Sequence, residues 1–156
     1  MISKGAIFSP DRKFRYNLWR SWDTSRPVVT FVCLNPSTAD ENVDDPTVRR
    51  CINFALHWKY GGMNMMNTFA LRSTDPLELT INKAAALGPE NDNYLREIIG
   101  PVVVAWGNWG RLYGRSEEMR HILGEASCFG LTKLREPRHP LYLHHSTELI
   151  PWQGAR

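Results

Sequence analysis

Four short stretches place side chains able to do chemistry beside otherwise apolar runs: Asn35-Pro36, Asn67-Thr68, Trp106-Gly107-Asn108 and Arg138-His139-Pro140. A carboxamide both donates and accepts hydrogen bonds, and an imidazole gains or loses a proton near neutrality. Asn67 ends a run that is otherwise largely apolar, where an amide must find polar partners. Each residue also has a plain structural reading. Asn35 before a proline suits a turn, His139 can be structural, and Trp106 and Phe69 can be core. Met63, Met65 and Met66 read as core filling, with no cofactor implied.

Close behind Asn35 come Asp40, Glu41, Asp44 and Asp45, oxygen ligands of the kind that hold magnesium. Against a metal, Asp45 stands directly before Pro46, where it is wanted as a helix cap, and Asp40 with Glu41 suits a solvated loop. No metal site is therefore assigned. Arg49 and Arg50 can serve a helix surface or grip an anion. Cys33, Cys51 and Cys128 are widely spaced and form no CxxC pair, which argues against zinc or iron–sulfur chemistry. Serine-hydrolase, P-loop and dinucleotide motifs are missing, and "GNWGRLYG" has the wrong glycine spacing for a dinucleotide loop. The adjacent His144 and His145 are poorly placed to chelate one metal together.

The elements that must position these residues read as an α/β chain. Ala6 to Trp22 is a hairpin with a turn at Ser9-Pro10-Asp11 and alternation of Phe14, Tyr16 and Leu18. Val28 to Leu34 is a strand buried on both faces. Asp45-Pro46 starts a helix that Gly61-Gly62 stops, and Met63 to Met66 is a short buried strand. Asp75-Pro76 starts a helical region broken at Gly88-Pro89 and resumed from Asn91 to Ile99. Pro101 to Trp106 is the clearest strand; a helix then ends near Gly124, and Ser127 to Leu131 is a last strand. From Thr132 onward the chain reads as irregular, with prolines at 137, 140 and 151. Strands alternating with helices predict a parallel sheet with helices on both faces. In such sheets ligands bind beyond the carboxyl ends of the strands, which is where all four stretches fall.

Bulk properties fit one domain over residues 1–156. The composition, 42% hydrophobic and 22% charged, is that of an ordinary globular protein. A net charge of +3 permits anionic partners without demanding them. Neither a run of roughly 20 apolar residues nor a secretory leader is present, so the expected location is cytoplasmic, with no membrane partner.

The stretches "LNPSTADENVDDPTVRRC", "LGPENDNYL", "VVVAWGNWG" and "PRHPLYL" together resemble domain-of-unknown-function family 1643 over nearly the whole chain. The order of motifs is also similar, more distantly, to the uracil-DNA glycosylase superfamily. That second resemblance implies a three-layer α/β/α sandwich with a central, mainly parallel four-stranded sheet, here preceded by a β-hairpin. It implies that Asn35 of "CLNPS" positions the attacking water, that Asn67 of "MMNTFA" reads a base edge, and that His139 of "RHPLYL" stabilises the departing base. Leu143 falls where those enzymes carry a leucine wedge, and Leu141 stands where a serine often follows His-Pro.

Phe69, Trp106, Arg138, Tyr142 and Arg49 complete the expected substrate-binding set. The expected partner is a nucleobase, a nucleotide or nucleic acid, single strands included, and no cofactor is expected. Three functions follow: an N-glycosidase, a non-catalytic binding module of the same fold, or a metal-dependent enzyme using the acids at 40–45. The acids themselves argue against duplex DNA, whose phosphates they would repel.

Overall fold

The computed structural model describes residues 2–152. The hairpin consists of β1 (Ser3–Phe8) and β2 (Arg15–Ser21). The continuous apolar run becomes β3 (Val28–Cys33), and Asp45 caps α1 (Pro46–His57) by accepting a hydrogen bond from the Val48 amide at 2.8 Å. After β4 (Gly62–Asn67) the second cap-and-proline signal, Asp75-Pro76, opens a 3-10 turn over Pro76–Thr80 rather than an α-helix. The helical region is further divided into α2 (Lys83–Leu87) and α3 (Asn91–Arg96). They separate at Gly88, whose φ of 83° is the left-handed backbone that glycine permits. β5 (Val102–Val104), a 3-10 segment at Asn108–Gly114, α4 (Arg115–Leu123), β6 (Ala126–Cys128) and β7 (Ile150–Trp152) follow.

The sheet is mixed and seven-stranded, in the order β1-β2-β4-β3-β5-β6-β7, not the four-stranded sheet expected. The pairs β3–β4, β3–β5 and β5–β6 are parallel, whereas β1–β2, β2–β4 and β6–β7 are antiparallel. Two facts account for the larger sheet. The hairpin is not an appendage, because β2 hydrogen-bonds to β4 from Leu18 to Ser21. And the segment read as irregular returns as β7, whose Pro151 is tolerated because the strand lies at a sheet edge. Among the described residues no helix is long and apolar enough to cross a membrane.

Alternation along the strands divides the core in two. Val29, Phe31 and Cys33 of β3 pack with Val48, Cys51 and Phe54 of α1 on one face. Val32 and Val104 pack on the other with Leu79, Ala86, Leu95 and Met119, drawn from the 3-10 turn, α2, α3 and α4.

One irregularity matters for function. Opposite β1, Ile7 pairs with Asn17 but Phe8 pairs with Arg15, so Tyr16 is an extra residue in a β-bulge. Such a bulge re-aims the side chains on either side of it. Phe8 and Ala6 share a face of β1, so their partners Arg15 and Leu18 share a face of β2, despite their odd spacing. Arg15 thereby turns toward the α1 side of the sheet. Tyr16 stacks instead on Tyr94 of α3, with ring centroids 5.2 Å apart.

Candidate functional site

Beyond the carboxyl ends of β3, β4 and β5 lies a pocket of about 520 Å³, within the range of small-molecule sites. Asn35, Asn67, Trp106 and His139 all line it, together with Arg15 and Trp109. The strand ends that carry these residues are tied to one another. The Thr68 amide donates to the Cys33 carbonyl and its hydroxyl to the Leu34 carbonyl. The buried amide of Asn91 donates to the carbonyls of Asn67 and Thr68, and the Arg115 guanidinium donates twice more to Thr68. On the opposite side, the Gly107 amide donates to the Pro137 carbonyl at 2.7 Å, which brings the His139 segment against the end of β5. Gly107 makes that turn with φ 71°, a left-handed backbone favouring glycine.

Hydrogen bonding fixes what each side chain presents. Asn35 Nδ2 donates to three main-chain carbonyls, those of Pro36, Leu71 and Ser73, at 3.0–3.2 Å. Only the amide nitrogen can face three acceptors, its two N–H groups shared among them, so the side chain cannot be flipped and Oδ1 is the acceptor left to a residue that lines the pocket. Asn67 Oδ1 accepts from Arg15 at 3.4 Å, which leaves Nδ2 as a donor. His139 Nδ1 accepts the Leu141 amide at 3.2 Å, so the proton of the neutral ring sits on Nε2. Burial pushes the His139 pKa below its ordinary value, with the Asp45 carboxylate pulling the other way. At neutral pH His139 is therefore an uncharged donor.

Trp106 is fully buried, edge-on to Trp152 with centroids 5.2 Å apart. Gly110 passes so close to its ring that an added Cβ would lie 1.9 Å from Cδ1, so a residue larger than glycine there would displace the indole. Trp109, by contrast, is partly exposed at the pocket. Arg15 and Trp109 were not among the expected site residues. The signal for Arg15 was hidden by the bulge, since alternation alone does not reveal which way it faces.

The remaining expected residues lie elsewhere. Phe69 is fully buried in the second core, against Tyr113 and Arg115, and does not line the pocket. Arg49 is exposed on α1 and donates to the Asp44 carbonyl; Thr47 and Val48 line the pocket instead. Arg138 is exposed, with its main chain bonded to Gly130. Leu143, at the position of the leucine wedge, is buried in the first core. Its neighbour Tyr142 is 97% exposed and borders a separate shallow depression with Arg50, His144 and His145.

The four acids have partners of their own. Asp40 accepts the amides of Asn42 and Val43 at 2.8 Å, which lowers its pKa. Glu41 pairs with Arg12 and Asp44 with Arg20, and Asp45 caps α1. Among the described residues no group of three or more histidines, cysteines or acids could hold a metal ion. The loop is thus partly neutralised by arginines. The repulsion expected from the acids is weaker than their number suggests.

No curated protein and no solved structure matches the chain significantly. A family model described as "Protein of unknown function (DUF1643)" does match, over residues 15–141, a span that includes Arg15, Asn35, Asn67, Trp106 and His139. The chain belongs to that family.

Proposed function

We propose that the protein recognises a nucleobase and hydrolyses its N-glycosidic bond, in nucleic acid, single strands included, or in a nucleoside or nucleotide. The observation carrying this reading is the arrangement around one pocket of an acceptor fixed on Asn35, a donor on Asn67 and a neutral donor on His139. The parallel quartet β4-β3-β5-β6, with helices on both faces, supports reading the fold as uracil-DNA-glycosylase-like, with β1, β2 and β7 as additions.

In this reading a water held by Asn35 Oδ1 attacks the anomeric carbon as the bond to the base nitrogen breaks. The bonding electrons leave with the base, and the proton lost by the water passes to solvent. His139 Nε2–H stabilises the oxygen on which the base accumulates charge, an interaction stronger in the transition state than before it. Asn35 cannot take a proton, so the mechanism relies on positioning and electrostatics.

That same feature favours a second reading, a binding module of this fold without turnover. Release of free base from nucleosides, nucleotides and single-stranded oligonucleotides separates the two. A glycosidase releases base and loses roughly a hundredfold or more on His139→Ala. Binding with no release from any substrate supports the module.

A further inference from the structure

We propose that the inner end of the pocket is an anion site, where Arg15 and Asn67 Nδ2 together grip a compact, negatively charged oxygen-bearing group of the ligand. This deepens the proposed function and rests on it only for the assignment of a heterocycle as the ligand.

Arg15 is 2% exposed and lines the pocket. Its partners are neutral: the Ala39 carbonyl at 3.2 Å and Asn67 Oδ1 at 3.4 Å. Its Nε is buried with no hydrogen-bond partner among the described residues. Among the same residues Arg15 forms no ion pair, although the other two fully buried arginines each have an acid, Asp44 for Arg20 and Asp92 for Arg115. Of the neighbouring groups that act on its charge, Asp45 and then Cys33 favour the protonated form, and Arg72 and Arg20 oppose it. Asp45 already accepts the Val48 amide. Burial lowers the Arg15 pKa to about 10, so the group stays charged at neutral pH.

A buried cation with only neutral partners is destabilising unless something completes it. A carboxylate from the protein would neutralise the pocket permanently. Asp45 lines the same pocket but caps α1 through the Val48 amide and forms no ion pair with Arg15 among the described residues, so an anionic ligand that also meets the Nδ2 donor of Asn67 is the group that fits. The ionised imide of an acidic base and the phosphate or carboxylate of a nucleotide share that chemistry.

Calorimetric titration distinguishes these sources. Wild type, Arg15→Met and Arg15→Lys are titrated at one neutral pH. The probes are uracil, 5-nitrouracil, barbiturate, orotate, uridine monophosphate and inorganic phosphate. The expected result is that the ionised heterocycles bind wild type roughly ten- to a hundredfold more tightly than uracil, the range of one charge-assisted hydrogen bond. That preference collapses in Arg15→Met and is largely kept in Arg15→Lys. Arg15-dependent binding confined to the phosphate-bearing probes also supports the anion site, assigns it to phosphate and counts against a base at this end. Equal binding of uracil and its acidic analogues, with no hold on phosphate, overturns the anion site while leaving base recognition standing. A preference that survives Arg15→Met overturns it as well, as does failure of every probe to bind wild type. Should Arg15→Met fail to fold, the wild-type series and Arg15→Lys decide the matter alone.

Discussion

Arg15 and Arg20 are five residues apart on one strand and almost equally buried, yet their surroundings differ completely. Arg20 donates to Asp44 at 2.8 Å and to the carbonyls of Trp19 and Asp40 at 2.8 Å, with longer bonds to Gly5 and Val43. It fastens the acidic loop to the sheet. Arg15 reaches one carbonyl and one amide, and its Nε meets no acceptor among the described residues. The first is a finished structural network. The second is an unfinished one that opens on a pocket, and burial alone does not separate the two roles.

Substitution tests that contrast most directly, and the largest effect on stability is expected from the finished network. Arg20→Met strands a carboxylate and several carbonyls that the loop cannot turn to water together. We expect a loss of about 3 kcal/mol in denaturant unfolding. Arg15→Met removes a buried charge with no acid partner and should change stability by less than about 1 kcal/mol in either direction. If the two variants lose stability equally, Arg15 is structural glue and the contrast fails.

His139 extends the contrast to pH. Its folded pKa is depressed, so folding favours the neutral ring. The associated stability is present above the unfolded value of about 6.5 and is lost as pH falls through the lower folded value. Protonation would also turn a second ring N–H toward the Leu141 amide that now donates to Nδ1. Melting temperature should therefore fall in mild acid for wild type and fall less steeply for His139→Ala. Parallel slopes for the two proteins would mean that His139 does not titrate in this way.

Much of this arrangement was legible in the sequence because it rests on local rules. Asp45-Pro46 started a helix, Val28 to Cys33 became a strand buried along most of both faces, and each of the four polar stretches contributed at least one residue to one pocket. Arg15 was not legible. Alternation assigns Phe14, Tyr16 and Leu18 to one face, but the bulge at Tyr16 reverses the pattern between positions 15 and 18. β2 is also an interior strand, so charged residues on it become buried without any apolar signature. β7 was missed for a related reason. Proline argues against a strand except at an edge, and only the tertiary fold reveals that an edge lies there.

A smaller effect is expected at Asn35, where the wording of the motif is misleading. Under the proposed mechanism an aspartate there looks like an improvement, since a carboxylate is a better base than an amide. The local geometry argues otherwise. The nitrogen that Asn35→Asp would replace faces three carbonyl oxygens within 3.2 Å. A carboxylate oxygen cannot donate to them, so we expect a loss of about 2 kcal/mol and no gain in base release. A faster, equally stable Asn35→Asp would show that the three carbonyls do not define the orientation of the side chain.

Tyr142 should show the smallest effect on folding and separates the pocket from its surroundings. It is almost fully exposed and holds a φ of 68°, a backbone that disfavours any side chain but glycine's. Packing therefore gains nothing from the ring, and Tyr142→Gly is expected to raise stability slightly, by about 0.5–1 kcal/mol. Beside it lie the Arg50 guanidinium and the rings of His144 and His145, next to an exposed aromatic face of the sort that stacks on single-stranded bases. If the ligand is a strand, Tyr142→Gly should weaken oligonucleotide binding by about 1–3 kcal/mol. Free-base affinity at the pocket would be unchanged. If the ligand is a nucleoside or nucleotide, both affinities stay as they were. Fluorescence anisotropy with a labelled single strand, set against calorimetry with free base, therefore assigns the substrate class from a residue outside the pocket.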